Sequence, residues 1–160
     1  MVAAVLLLPA ALPAEDWGPV QFLVGKWTGE GGGDPGAGSG AFTLVPDLQG
    51  RILVRKSFAG YPAAGSRPAF RHDDLLVIYR DPASSQLKAT YWDSEGHVIA
   101  YSVQPAGEGG TALVSDGPAT GMRYRLTYLP DGKNKVQIRF EVAPPGKDFA
   151  KYLEAAAHRE

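Results

Sequence analysis

Lys135-Val136-Gln137-Ile138-Arg139-Phe140-Glu141-Val142 reads as a strand with one wet face and one dry face. Val136, Ile138, Phe140 and Val142 are apolar, and the residues between them are charged or amide-bearing. Successive side chains of an extended chain point to opposite sides, so a period of two sorts them onto two faces. Upstream, Met122, Tyr124, Leu126 and Tyr128 alternate in the same way with Arg123, Arg125 and Thr127. Between the two stretches lies Pro130-Asp131-Gly132, whose residue types supply the backbone conformations of a tight turn. Two amphipathic strands joined by so short a link form an antiparallel hairpin.

The same grammar extends outward. From Gly25 onward, turn signals recur about every eight to twelve residues, the spacing of an all-β chain. Strands are predicted near Lys26–Gly31, Gly40–Pro46, Arg51–Ala59, Asp74–Arg80, Gln86–Asp93, His97–Val103, Thr111–Ser115, Met122–Leu129, Lys135–Ala143 and Phe149–His158. Asp81-Pro82, Ser94-Glu95-Gly96 and Glu108-Gly109-Gly110 supply further turns. Trp17 to Leu23 can form a helical turn or two, and nothing beyond it sustains helical periodicity. A long run of sequential antiparallel strands curls, and closing it removes its exposed edges, so an up-and-down barrel of about ten strands is the expected fold. A two-sheet sandwich has the same alternation and stays open. Leu75 to Arg80 is apolar on both faces, which suits a covering element such as the N-terminal turn.

Composition narrows the function. The chain has 160 residues, enough for one domain with a core of its own. Its net charge is -1 with cations dispersed, so no basic stripe exists to neutralise phosphates and nucleic acid is not an expected partner. There is no cysteine, which removes disulfides, thiolate nucleophiles and thiolate metal sites together. Val2 to Ala14 (VAAVLLLPAALPA) is apolar, too short to span a bilayer, and followed by Glu15 and Asp16. It reads as a signal peptide, residues 1–14, ahead of a barrel domain at 15–160, which makes the mature protein periplasmic or secreted. The mature chain holds no integral membrane segment, and monomer or homodimer is not fixed.

At Phe22-Leu23-Val24-Gly25-Lys26-Trp27-Thr28-Gly29-Glu30-Gly31 the sequence resembles the opening of lipocalin-like (calycin) barrels, where a short helical turn leads into a strand carrying Gly-x-Trp. It looks closest to a bacterial lipocalin-like family of unknown function that is similar to the nitrobindins. Leu48-Gln49-Gly50-Arg51, Arg139-Phe140-Glu141 and Tyr152-Leu153-Glu154 fit the same layout. The resemblance implies that a basic residue of the last strand, here Arg159, stacks on Trp27. Gly25 and Trp27 also have a direct physical reading: glycine allows a sharp turn into the strand, and the indole is a plate that closes one barrel end.

Nitrobindins carry heme through a histidine early in the last strand, and that place falls on Tyr152 here. Tyrosine ligates iron only as phenolate, so no cofactor is expected. His72, His97 and His158 are isolated, without the spacing of a metal pair, and no metal is expected. His72-Asp73-Asp74 reads as a solvated start of a strand after a long Gly60–Arg71 loop, and Asp93 and Glu95 as turn residues. Gly31 to Gly40 has no following helix or Gly-Lys-Ser/Thr, so it reads as a hairpin loop and not a phosphate cradle.

What remains is the pocket. If Tyr152 points inward, so does Glu154, and a buried carboxylate needs a partner, for which Arg51, Arg55 and Arg125 are candidates. Tyr152, Glu154, Arg55, Arg125, Tyr124 and Phe140 are the expected ligand-binding residues. The expected function is binding of a small, partly apolar molecule in the cell envelope. The alternatives are a small-molecule isomerase or hydrolase using a Tyr/Glu/Arg pocket, a nitrobindin-like heme protein, or an interaction module with a filled barrel. Catalysis would call for a buried Glu154 with a raised pKa.

Overall fold

The computed structural model describes residues 16–30 and 38–160. The leader read at residues 1–14, and most of the Gly31–Gly40 run, lie outside the described residues.

Among the described residues a 3-10 turn, Gly18–Leu23, precedes ten strands: β1 (Gly25–Glu30), β2 (Ser39–Asp47), β3 (Ile52–Tyr61), β4 (Phe70–Arg80), β5 (Leu87–Asp93), β6 (Val98–Ala106), β7 (Gly110–Ser115), β8 (Arg123–Pro130), β9 (Lys135–Ala143) and β10 (Ala150–Arg159), with a second 3-10 turn, Leu48–Gly50, between β2 and β3. Each strand pairs antiparallel with its neighbours in sequence, and β10 returns to β1, so the sheet is a closed up-and-down barrel and not a sandwich. The architecture is consistent with a lipocalin-like fold.

Alternation sets which side chains fill the barrel. Val136, Ile138 and Phe140 of β9 lie opposite Ala157, Ala155 and Leu153 of β10 on one side and Pro130, Tyr128 and Leu126 of β8 on the other. Pro130 apart, these are the inward residues. One end of the barrel is solid: Trp17, Val20 and Leu23 from the N-terminal turn join Trp27, Leu44, Leu53, Ile78, Leu113 and Val136 in one buried cluster. Burial of these side chains stabilises the fold at about 25 cal/mol per Å² of apolar area removed from water.

Three sequence expectations change. The turn was expected to cover the apolar outer face of Leu75–Arg80; it plugs the barrel end instead, and Leu75, Val77 and Tyr79 stay half-buried outside. β4 begins at Phe70, four residues before the predicted start, because Phe70 to Asp73 continue the ladder with Phe58 to Tyr61 of β3. His72 and Asp74 are therefore interior strand residues. Finally, β10 carries a bulge between Lys151 and Leu153: Lys151 faces Glu141 and Leu153 faces Phe140, leaving Tyr152 as the extra residue.

Candidate functional site

The floor of the site is built first by Gly25, Trp27 and Arg159. Trp27 is 1% exposed, and its ring nitrogen donates to the Leu23 carbonyl at 2.8 Å. Arg159 lies directly opposite in β10, with its guanidinium carbon 4.4 Å from the indole centroid. The same guanidinium donates to the carbonyls of Val24 (2.7 Å) and Phe22 (2.5 Å), tying the N-terminal turn to the last strand. Gly25 has φ +137°, and a Cβ there would meet the Arg159 Nη1 at 2.6 Å. Only glycine meets both demands.

Above the floor the barrel is hollow. A cavity of about 860 Å³ runs from Phe42, Tyr101 and Tyr128 to a rim that includes Tyr61, Arg67, Phe70, His97 and Tyr152. Its two sides differ in chemistry. β8, β9 and β10 present Tyr124, Leu126, Ile138, Phe140, Val142, Leu153 and Ala155. Opposite them, β3, β4 and β5 present Arg55, His72, Asp74, Tyr91 and Asp93. In a ring of ten strands β4 and β9 are five steps apart in either direction, so the polar and apolar walls face each other across the cavity.

The polar wall is a connected network. Arg55 donates to Asp74 Oδ1 at 2.6 Å and to the Tyr128 hydroxyl. The Arg55 and Asp74 side chains are each 8% exposed, so their charges compensate each other out of water. Burial works against the Arg55 charge, but the Tyr128 oxygen and the Asp74 carboxylate outweigh it, and its pKa stands above the usual guanidinium value. His72 Nδ1 is 2.8 Å from Glu95 Oε1, and its Nε2 is 2.9 Å from the Tyr91 hydroxyl. Burial, with Asp74 and Asp93 nearby, pushes the Tyr91 phenol far above its ordinary range, so it stays an O–H. Asp93 is opposed by burial, yet the backbone N–H and ring of His97 and the backbone N–H of Glu95 hold its pKa low. Burial likewise raises the phenols of Tyr101 and Tyr128.

Of the residues expected from sequence, Arg55, Tyr124, Phe140 and Tyr152 line the cavity. Tyr124 stacks on Phe140 with centroids 6.1 Å apart, and Tyr152 meets Phe140 edge-on at 6.0 Å. Two expectations are corrected. Glu154 borders the cavity through its place in β10, but its carboxylate lies 3.0 Å from both Arg139 and Lys151 on the outer face. Those two cations hold its pKa below the ordinary glutamate value, Lys151 foremost. The bulge at Tyr152 breaks the parity that would have placed both side chains on one face, and Glu154 is not the buried carboxyl with a raised pKa that catalysis would call for. Arg125 also faces outward, in a bidentate pair with Glu141 (2.6 and 2.7 Å) under the ring of Phe149. Arg55 is paired with Asp74 and not with Glu154, and Arg51 is exposed beyond the short turn before β3.

His72, Asp74, Tyr91, Asp93 and Tyr101 were missed as site residues. Polar residues that face a cavity belong to the same types as those that face water, so alternation assigns them outward. The one usable signal was register: extending the β3–β4 ladder by four residues places His72 and Asp74 on the face of Leu76 and Ile78.

Heme does not fit the aligned position. Tyr152 is 67% exposed at the rim, and both ring nitrogens of His72 are engaged. His97 is half-exposed on the turn after β5, with Nδ1 held by Asp93. Among the described residues, no group of three or more His, Asp or Glu side chains is placed to hold a metal ion. No family model matches the chain, and no curated protein matches it.

Proposed function

We propose that this barrel binds a small, partly apolar molecule inside its cavity. The observation that carries the reading is the hollow of about 860 Å³ between an apolar wall on β8–β10 and a polar network on β3–β5. Ligand pockets of small molecules fall in the range of about 300–1,000 Å³, with mostly apolar linings and a few placed polar groups. A module acting only through its outer face has no use for such a space, which close packing of side chains would otherwise fill. The ligand's apolar body lies against Leu126, Ile138, Phe140 and Leu153, and its polar end meets the Arg55–Asp74 side. Tyr124 and Tyr152 flank it towards the rim.

Export to the cell envelope belongs to the same proposal. It is supported by the apolar Val2–Ala14 run before Glu15 and Asp16. The binding reading is tested by titrating the protein with N-phenyl-1-naphthylamine, an uncharged dye that brightens in apolar surroundings. Saturable one-to-one enhancement, weakened when Phe140 or Leu126 is replaced by Asp, is the expected result. A linear, non-saturating response in the wild-type protein would reject it.

A further inference from the structure

Resting on that binding reading, we infer that the cavity selects a ligand whose polar end is an uncharged oxygen acceptor, such as an alcohol, ketone or amide, over an otherwise identical carboxylate. The polar side of the cavity carries three carboxylates, Asp74, Asp93 and Glu95, against the Arg55 guanidinium, with the Arg67 guanidinium at the rim. Asp74 is held by Arg55, Asp93 by the ring and backbone of His97, and Glu95 by His72. A ligand carboxylate entering this wall would be desolvated among carboxylates and without a free counter-ion, which is costly. The guanidinium deep in the cavity has one Nη on Asp74 and the other on Tyr128, and its unpaired Nε is itself buried, so an anion would have to displace Asp74 or sit beside it.

Apart from the buried Arg55 Nε, one donor on the cavity is left over. Tyr101 is 2% exposed and lines the cavity, yet its hydroxyl has no hydrogen-bond partner among the described residues. Buried hydroxyls are normally paired. Its ring is anchored in the floor cluster, and it shares the Arg55 and Tyr128 neighbourhood. A neutral phenol there donates one hydrogen bond to a ligand oxygen and asks for no charge in return. The ligand this wall recognises is thus an acceptor at one end and hydrocarbon at the other.

The test displaces bound N-phenyl-1-naphthylamine with two ligands of equal chain length: octan-1-ol and octanoate at neutral pH. Octan-1-ol is expected to displace the dye at least about tenfold more effectively than octanoate. Because any apolar pocket disfavours ions to some degree, two variants make the test specific. Tyr101→Phe should weaken octan-1-ol about five- to tenfold relative to the dye measured on the same variant, the worth of one hydrogen bond. Asp74→Asn should release Arg55 and improve octanoate several-fold relative to octan-1-ol on the same variant. Thermal unfolding of both variants checks that they are folded, and the wild-type comparison needs neither. Octanoate binding as well as octan-1-ol, or Tyr101→Phe leaving octan-1-ol unchanged relative to the dye, overturns the inference while the cavity reading stands. Failure of the dye and both ligands to bind removes both.

Discussion

Replacing Trp27 by Ala should be the most damaging single truncation at the barrel floor. The side chain is 1% exposed, stacks on Phe42 with centroids 5.8 Å apart, and lies under the Arg159 guanidinium at 4.4 Å. Truncating a buried aromatic to Ala costs about 3–5 kcal/mol through lost transfer energy and the cavity left behind. The stacked cation adds about 0.5–2 kcal/mol. Loss of the indole N–H also strands the Leu23 carbonyl, at about 1 kcal/mol. These parts share atoms and do not sum, so the expected cost is about 4 kcal/mol. For a domain of this size that lowers Tm by roughly 8–16 °C. Urea unfolding followed by circular dichroism measures it, with Trp27→Phe as a control that keeps the plate and should cost only about 1–2 kcal/mol. Combining Trp27→Ala with Arg159→Met in a double-mutant cycle should give a coupling of at least about 0.5 kcal/mol. A Trp27→Ala cost under about 1 kcal/mol, or zero coupling, would refute the account of the floor.

Other outcomes follow from single sites. Arg125 holds the Glu141 carboxyl below its ordinary pKa, so the pair's contribution is complete above about pH 4.3 and is lost as pH falls through the lowered folded value. With Arg125 one-third exposed, it is worth about 1 kcal/mol. Glu141→Gln should therefore narrow the drop in urea midpoint between neutral pH and about pH 3, and an unchanged drop would exclude the pair as its source. Mature protein from its native host should begin at or near Glu15, and an intact N-terminus in the cytoplasmic fraction would end the export proposal. Hemin added to the purified protein should give no sharp one-to-one Soret transition; a submicromolar one abolished by Tyr152→Phe or His97→Ala would show that the rim supplies an axial ligand. Val142→Asp, placing a carboxylate on the apolar wall, should weaken dye binding far more than Arg139→Asp on the outer face of the same strand.

The strand pattern was determined locally. Alternation at Val136, Ile138, Phe140 and Val142, and glycine or proline at the turns, depend only on chain neighbours, so ten strands and an up-and-down order could be read without coordinates. The stack of Arg159 on Trp27 was legible for a different reason, the resemblance to lipocalin-like barrels, since the two residues meet only once β1 and β10 pair. The cavity's polar wall was not legible. Whether His72 and Asp74 face water or the interior depends on where the β3–β4 ladder stops, and that is set by pairing between segments distant in sequence. Glu154 turned outward for a similar reason, since one bulged residue at Tyr152 reverses the facing of all that precedes it relative to all that follows. Sequence carries periodicity, which is local. Register, bulges and the partner of each buried charge exist only when the strands are side by side, and these tertiary features decided what the barrel can hold.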